Sequence, residues 1–191
     1  FLARGSWVRV GINHLATIGH LDENLKNSLA EPWQKITDLN GTMAKACYCP
    51  LDPRFQTYVH DCYRVLAEAG PEFIWIDDDV RMANHGPAAM ACFCDLCLTR
   101  FAEETGRAWT RQELAAATAD TNDAAARDLR RQWVAHNRRI IDDLFGQIRA
   151  AVDEVSADLP LGFMSCGMIY EGMAFAQWGK TLAGQRRVPV K

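Results

Sequence analysis

The sequence lacks any apolar run approaching the roughly 20 residues that a bilayer span requires, and its N-terminal stretch lacks the basic-then-apolar pattern of a signal peptide. No membrane partner is therefore expected. The chain begins at Phe1 rather than Met and enters a strand-like stretch within a few residues, which fits removal of an upstream segment. Low-complexity tracts and internal repeats are missing, so disorder and solenoid architectures are set aside. An excess of positive charge is missing too. Lys and Arg number 21 against 24 Asp and Glu, the signs are interspersed, and the formal charge is -3. That balance offers no basic face for a phosphate backbone, so neither nucleic acid nor other anions are expected partners. Finally, the seven cysteines are odd in number and unevenly spaced, which is not a disulfide framework; a reducing, cytoplasmic setting is expected.

What is present suits one domain: 191 residues, 49% of them hydrophobic, can bury a sizeable core. The organising stretch runs from Phe73 to Cys97. Phe73, Ile74, Trp75 and Ile76 read as a short buried strand after Gly70-Pro71, ending in Asp77, Asp78 and Asp79. In α/β folds, ligands gather at the carboxyl ends of parallel strands. Upstream, Trp7 to Asn13 predicts another strand whose end carries Asn13 and His14, and the stretch up to Ala46, with Asn24, Asn27 and Asn40-Gly41, reads as loop. Asp52 caps and Pro53 opens a helix with Phe55, Tyr58, Val59, Cys62, Leu66 and Ala69 at helical spacing. A short helix through Phe101 to Glu104 follows the cysteines, and Thr110 with Glu113 forms a capping box. The longest helix begins near Asn122, with an apolar stripe from Leu129 and Trp133 to Val152 and Val155. Leu161 to Met164 predicts a third strand, Gly172 to Leu182 a helix, and Val188 to Val190 the start of a fourth strand. The order is that of βα units in a parallel sheet, too few for an eight-stranded barrel of about 250 residues.

Two constellations carry chemistry. Cys92, Cys94 and Cys97 form C-x-C-x2-C, and Cys49 can supply a fourth thiolate, with Cys47 as its rival; Pro50 favours Cys49. Four thiolates suit a closed, structural zinc site. Cys62 and Cys166 read as packing residues. In the carboxylate group, strand alternation puts Trp75, Asp77 and Asp79 on one face, and like charges that close raise one pKa, as a general acid near neutral pH requires. Trp75, Asn13, His14, Arg81 and His85 are candidate substrate contacts, with His20 beside them. His60 and His136 fall on helices as surface or packing residues. A competing reading gives Asp77, Asp78 and Asp79 to Mg2+ or Ca2+.

Taken together, these residues resemble the glycoside hydrolase family 42 β-galactosidases and related (β/α)8-barrel glycosidases. The likeness rests on Tyr48-Cys49 followed by Pro53; on Trp75-Ile76-Asp77-Asp78-Asp79 in the place of a Trp-x-x-Asp-Asn-Glu pattern, one residue shorter here between the tryptophan and the acids; on Cys92, Cys94 and Cys97 leading to Phe101; and on Gly162-Phe163-Met164 with Trp178 beyond it. It implies an α/β fold of parallel βα units, the middle strands of a TIM barrel, with structural zinc on Cys49, Cys92, Cys94 and Cys97. It further implies a carbohydrate substrate, O-glycoside hydrolysis with Asp79 as acid/base, and a nucleophile outside this stretch of chain. Two departures stand out: aspartate replaces glutamate at Asp79, and Asp78 replaces the pattern's asparagine. A non-catalytic carbohydrate-binding relative that keeps the zinc clamp is the alternative, and a homo-oligomer is left open.

Overall fold

In the computed structural model, residues 9–20, 31–90, 92–165, 167 and 169–191 are described, the side chain of Ile169 apart. Trp7, Val8, Asn24, Asn27 and Cys166, all read above, lie outside them. Three strands form a parallel sheet: β1 (Ile12–His14), β4 (Ile74–Ile76) and β7 (Leu161–Phe163), in the order β1-β4-β7. Asn13 pairs with Trp75, and Trp75 with Gly162. Lys191 continues this pattern beyond β7, donating from its N to Leu161 O and accepting from Phe163 N, both at 3.1 Å. Pairing at the predicted fourth strand is thus made by Lys191. The described residues form an open parallel sheet and do not close a barrel.

The faces of this sheet differ because strand side chains alternate. Ile74, Ile76 and Leu161 are fully buried under the helices, whereas Trp75 is half-buried and Asn13 exposed on the other face. Gly162 is required there: a Cβ on it would stand 2.6 Å from the Trp75 ring.

The helical layer follows its local signals closely. Helix α1 (Pro53–Glu68) is capped by Asp52, whose carboxylate accepts from Arg54 N, and the chain leaves it through Gly70 at φ +68°. Helix α2 (Asp95–Thr105) starts ahead of Cys97 and ends at left-handed Gly106, and α3 (Arg111–Thr118) opens on the Thr110–Glu113 capping box. Helix α4 (Ala124–Asp153), capped by Asp123, buries Trp133, Ile140, Leu144, Ile148 and Val152; Val155 lies past its end and is exposed. Helix α5 (Phe175–Ala183) follows a 3-10 turn at Ile169–Glu171 and buries Trp178.

Two antiparallel hairpins interrupt this βα order where the sequence suggested loop: β2 (Lys35–Thr37) with β3 (Met43–Tyr48), and β5 (Ala83–His85) with β6 (Ala88–Met90). The first turns through Asn40-Gly41, with Gly41 at φ +88° and Asp38 Oδ1 accepting from Asn40 N and Thr42 N. Several inward positions of these strands carry alanine, Ala44, Ala46, Ala83 and Ala88, a weak strand former that blurs the alternation.

Candidate functional site

Three segments bring four thiols together. Cys49 follows β3, Cys92 and Cys94 follow β6, and Cys97 sits in the first turn of α2. All four are buried and their Sγ atoms lie within 4.8 Å of one another, with Cys49 and Cys97 3.5 Å apart. A tetrahedral thiolate shell with metal–sulfur bonds of about 2.3 Å sets its sulfurs about 3.8 Å apart, so the spacing fits a small four-coordinate ion. The surroundings favour negative sulfur. Thr37 N donates to Cys92 Sγ at 3.4 Å, and Cys94 occupies the N-cap of α2, at the positive end of the helix. Hydrogen bonds from Cys49, then Cys92 and Cys97, pull the Cys94 thiol well below the usual range. The same contacts, with Cys92 foremost for Cys49 and Cys49 foremost for Cys97, push those two thiols up. Four thiols in this space favour at least one thiolate.

Cys47 is not in the group. Its Sγ donates to Gly19 O at 2.9 Å, on the other side of the hairpin from Cys49. The extended alternation that would align Cys47 with Cys49 ends at Tyr48, where β3 stops and the chain turns toward α1. Cys62 packs against His14, Sγ to Nε2 3.6 Å.

The second constellation lies at the C-terminal end of β4. Alternation was expected to hold Asp77 and Asp79 on one face. Instead the strand stops at Ile76: Asp77 N donates to His14 O at 3.3 Å, and the chain then turns, with Arg81 N on Asp79 O. Asp77 and Asp78 therefore share an ion-pair partner that Asp79 does not touch. His20 Nε2 is 3.2 Å from Asp77 Oδ2 and 3.6 Å from Asp78 Oδ1, while Arg81 Nη1 stands 3.6 Å from Asp78 Oδ1 as a counter-charge.

Asp79 turns inward. It is 0% exposed, and its Oδ2 accepts from Ile18 N at 2.7 Å and Gly19 N at 2.8 Å, tying the loop after β1 to the end of β4. Its Oδ1 is buried with no partner among the described residues. Burial pushes this carboxyl up to about 7, against the two backbone donors and the pull of His20. Since Oδ2 is occupied by two N–H groups, the proton retained at neutral pH sits on Oδ1. The three carboxylates do not converge on one point, so the expected tri-aspartate cation site is replaced by the His20, Asp77 and Asp78 cluster, whose ligand atoms lie within 4.8 Å of one another.

The remaining candidate contacts separate by face. Trp75 and Asn13 lie side by side on the open face of the sheet. His14, two residues from Ile12, faces the helices instead: its ring meets Tyr63 edge-on at 5.3 Å, and burial lowers its pKa. His85 is buried within the β5–β6 hairpin, where Nε2 donates to Arg81 O at 2.8 Å and burial holds the imidazole near 4 and neutral. Arg81 links Asp78 to the main-chain oxygens of Ala83 and Asn84. His14, Arg81 and His85 thus brace the loops around the acids. His136 is fully buried, its Nδ1 2.9 Å from Glu104. Glu171, which the sequence reading passed over, is buried and accepts from Asn84 Nδ2, tying the β5–β6 hairpin to the segment after β7.

No helix among the described residues is long and apolar enough to cross a membrane. No protein-family model matches the chain, and no curated relative matches it. Among solved structures, it is similar to a β-galactosidase from Bacillus circulans sp. alkalophilus, with TM-score 0.50 and 13% identity over 85% of this chain and 27% of that one. A β-galactosidase from the psychrophilic Marinomonas ef1 gives TM-score 0.50 and 12% identity over 79% and 26%. This chain therefore spans about a quarter of either enzyme's length, and what it shares with them is the fold of that part.

Proposed function

We propose that the chain is a glycoside hydrolase-like segment acting on O-glycosides, with its acid/base group at the end of β4. The observation that carries this reading is the burial of Asp79, which pushes its carboxyl up to about 7, beside two further carboxylates at the carboxyl end of the central strand of a parallel sheet. In this reading Asp79 donates its Oδ1 proton to the leaving oxygen, Asp77 and Asp78 with His20 bind sugar hydroxyls, and Trp75 with Asn13 offers an apolar-plus-polar platform for a ring. The second carboxylate of such chemistry lies outside this chain, and the barrel that would bring it into place is part of the proposal. Asp79→Asn is the discriminating variant, because Asn Oδ1 still accepts from Ile18 N and Gly19 N while proton donation is lost. Turnover of aryl and natural β-glycosides by the longest natural form containing this chain should fall at least about 100-fold; undiminished turnover would reject the role.

The complete burial of Asp79 favours a second reading, a carbohydrate-binding relative without chemistry, in which Asp79 is only a loop anchor. That reading predicts saturable sugar binding in calorimetry and no turnover in the wild type.

In both readings Cys49, Cys92, Cys94 and Cys97 hold a structural zinc ion. Bound there, the ion cross-links the end of β3, the stretch after β6 and the start of α2. All four positions are protein ligands, which leaves no place for substrate.

A further inference from the structure

Folding gathers charges that the sequence intersperses. Arg127, Arg130, Arg131 and Arg138 fall on one side of α4, and with Val134 they line a shallow, open surface depression of about 520 Å3. Net charge says nothing of which face of a helix its arginines share. Among the described residues, none of these four guanidinium groups forms an ion pair with a carboxylate. Arg127 donates to Thr121 O and Asn122 O, and Arg130 to Thr118 O and Asp120 O, main-chain acceptors that orient the groups and leave their charge in place. Arg138 Nε is buried with no partner among the described residues.

Beside this basic depression is an apolar cavity. It measures about 220 Å3, is walled by Leu39, Phe93, Leu114 and Trp133, and shares Arg130 and Val134 with its neighbour. Phe93 and Trp133 stack at 4.3 Å with their planes 2° apart, which makes a rigid wall. Trp133 is 7% exposed, and its indole N–H, a donor only, has no acceptor among the described residues. An apolar cavity of about 150 Å3 is enough to hold benzene, so this one takes a ring or a short chain.

We propose that the depression and the cavity form one binding site for a small amphiphilic anion. Its apolar body lies between α3, α4 and Phe93, and its carboxylate, sulfonate or phosphate group lies among Arg130, Arg131 and Arg138. Charge complementarity selects the head group, and the adjoining apolar slot selects a small molecule over a polyanion, which has no use for it. The site is independent of the acids at β4 and of any glycosidase activity.

Calorimetry on the purified protein tests this with naphthalene-2-sulfonate against neutral 2-naphthol, and decanoate against 1-decanol. At least one anion should bind saturably at a single site and at least ten-fold tighter than its neutral partner; which of the two does so identifies an aromatic or an aliphatic body. The double variant Arg131→Ala/Arg138→Ala, which removes no internal hydrogen bond among the described residues, should abolish the anion's advantage and leave the neutral compound's binding alone. Val134→Phe, which narrows the shared wall, should weaken both compounds ten-fold or more with an unchanged far-UV circular dichroism spectrum. The proposal is overturned if neither anion binds saturably, if charged and neutral partners bind alike, or if Val134→Phe has no effect. It is equally overturned if oligouridylate binds with a steep salt dependence that Val134→Phe does not alter, since the arginines would then serve a polyanion.

Discussion

The thiol quartet and the acidic end of β4 both crowd like groups together, and the chain handles the crowding in opposite ways. At the quartet, residues from three separate segments converge until their sulfurs are within one coordination shell. At β4, three consecutive carboxylates disperse: Asp77 and Asp78 turn toward His20, and Asp79 toward two backbone N–H groups. The first arrangement could hold an external cation on thiolates that otherwise share protons among themselves. The second is satisfied from within, by a histidine, an arginine, two amides and a retained proton. One region should therefore depend on its ligand for stability, and the other should depend on pH.

The largest effect expected from breaking this contrast is metal removal. Structural zinc in thiolate sites carries an apparent binding free energy of about 10–16 kcal/mol, as large as the whole stability of a domain, about 5–15 kcal/mol. Chelation, or Cys49→Ser, should abolish the cooperative melting transition in calorimetry, whereas Cys62→Ser, outside the quartet, should keep it. Metal analysis of the native protein should find one ion per chain.

Next in size is Asp79→Ala, which strands the N–H groups of Ile18 and Gly19 in a buried place. At about 1–3 kcal/mol for each orphaned group, the loss is about 2–6 kcal/mol, read as a fall in Tm of about 2–4 °C per kcal/mol for a chain this size. Asp79→Asn retains an acceptor and should cost far less. A Tm as low for Asn as for Ala would mean that the carboxylate charge, not its acceptor oxygen, holds the loop.

A smaller effect is the pH dependence itself. The folded state binds the Asp79 proton up to about 7, while the ordinary value for an aspartate in an unfolded chain is 3.8, so the folded form holds more protons between these values. The contribution is fully present below about 4 and is lost as pH rises through about 7. Denaturant titrations across that window should show stability declining with pH, and Asp79→Asn should flatten the decline. Smallest of all is Asp78→Asn. Its partners His20 and Arg81 are partly exposed, so the stability change should stay within about 1 kcal/mol in the same titration, while any sugar affinity falls.

Much of the helical layer was legible because its signals are local. Asp52 before Pro53, Thr110 with Glu113, and Gly106 act within one turn of where they stand. The hairpins were harder to see, since their strands are short and several buried positions carry alanine, although Asn40-Gly41 marked the first turn openly. The carboxylates were misassigned to faces for a different reason. Alternation holds only while a strand is paired, and β4 ends at Ile76. His14 could have been placed correctly by the same rule, because it shares a face with Ile12. Which arginines of α4 would stand without carboxylates was not legible, since that depends on the position of α3 and the loop after it.

Gly19 has a consequence of its own. Its backbone, at φ +123°, lies so close to β3 that a Cβ would stand 2.2 Å from Ala46 O, and Cys47 Sγ reaches its carbonyl. The loop that presents His20 to the acids thus rests directly on β3, the strand that leads into Cys49. Any displacement of β3 reaches His20 and Asp79 through the close approach of Gly19 to Ala46 and the hydrogen bond from Tyr48 N to Ile18 O. The thiol clamp is in this sense the foundation on which the acidic corner is levelled, even though no thiolate touches it.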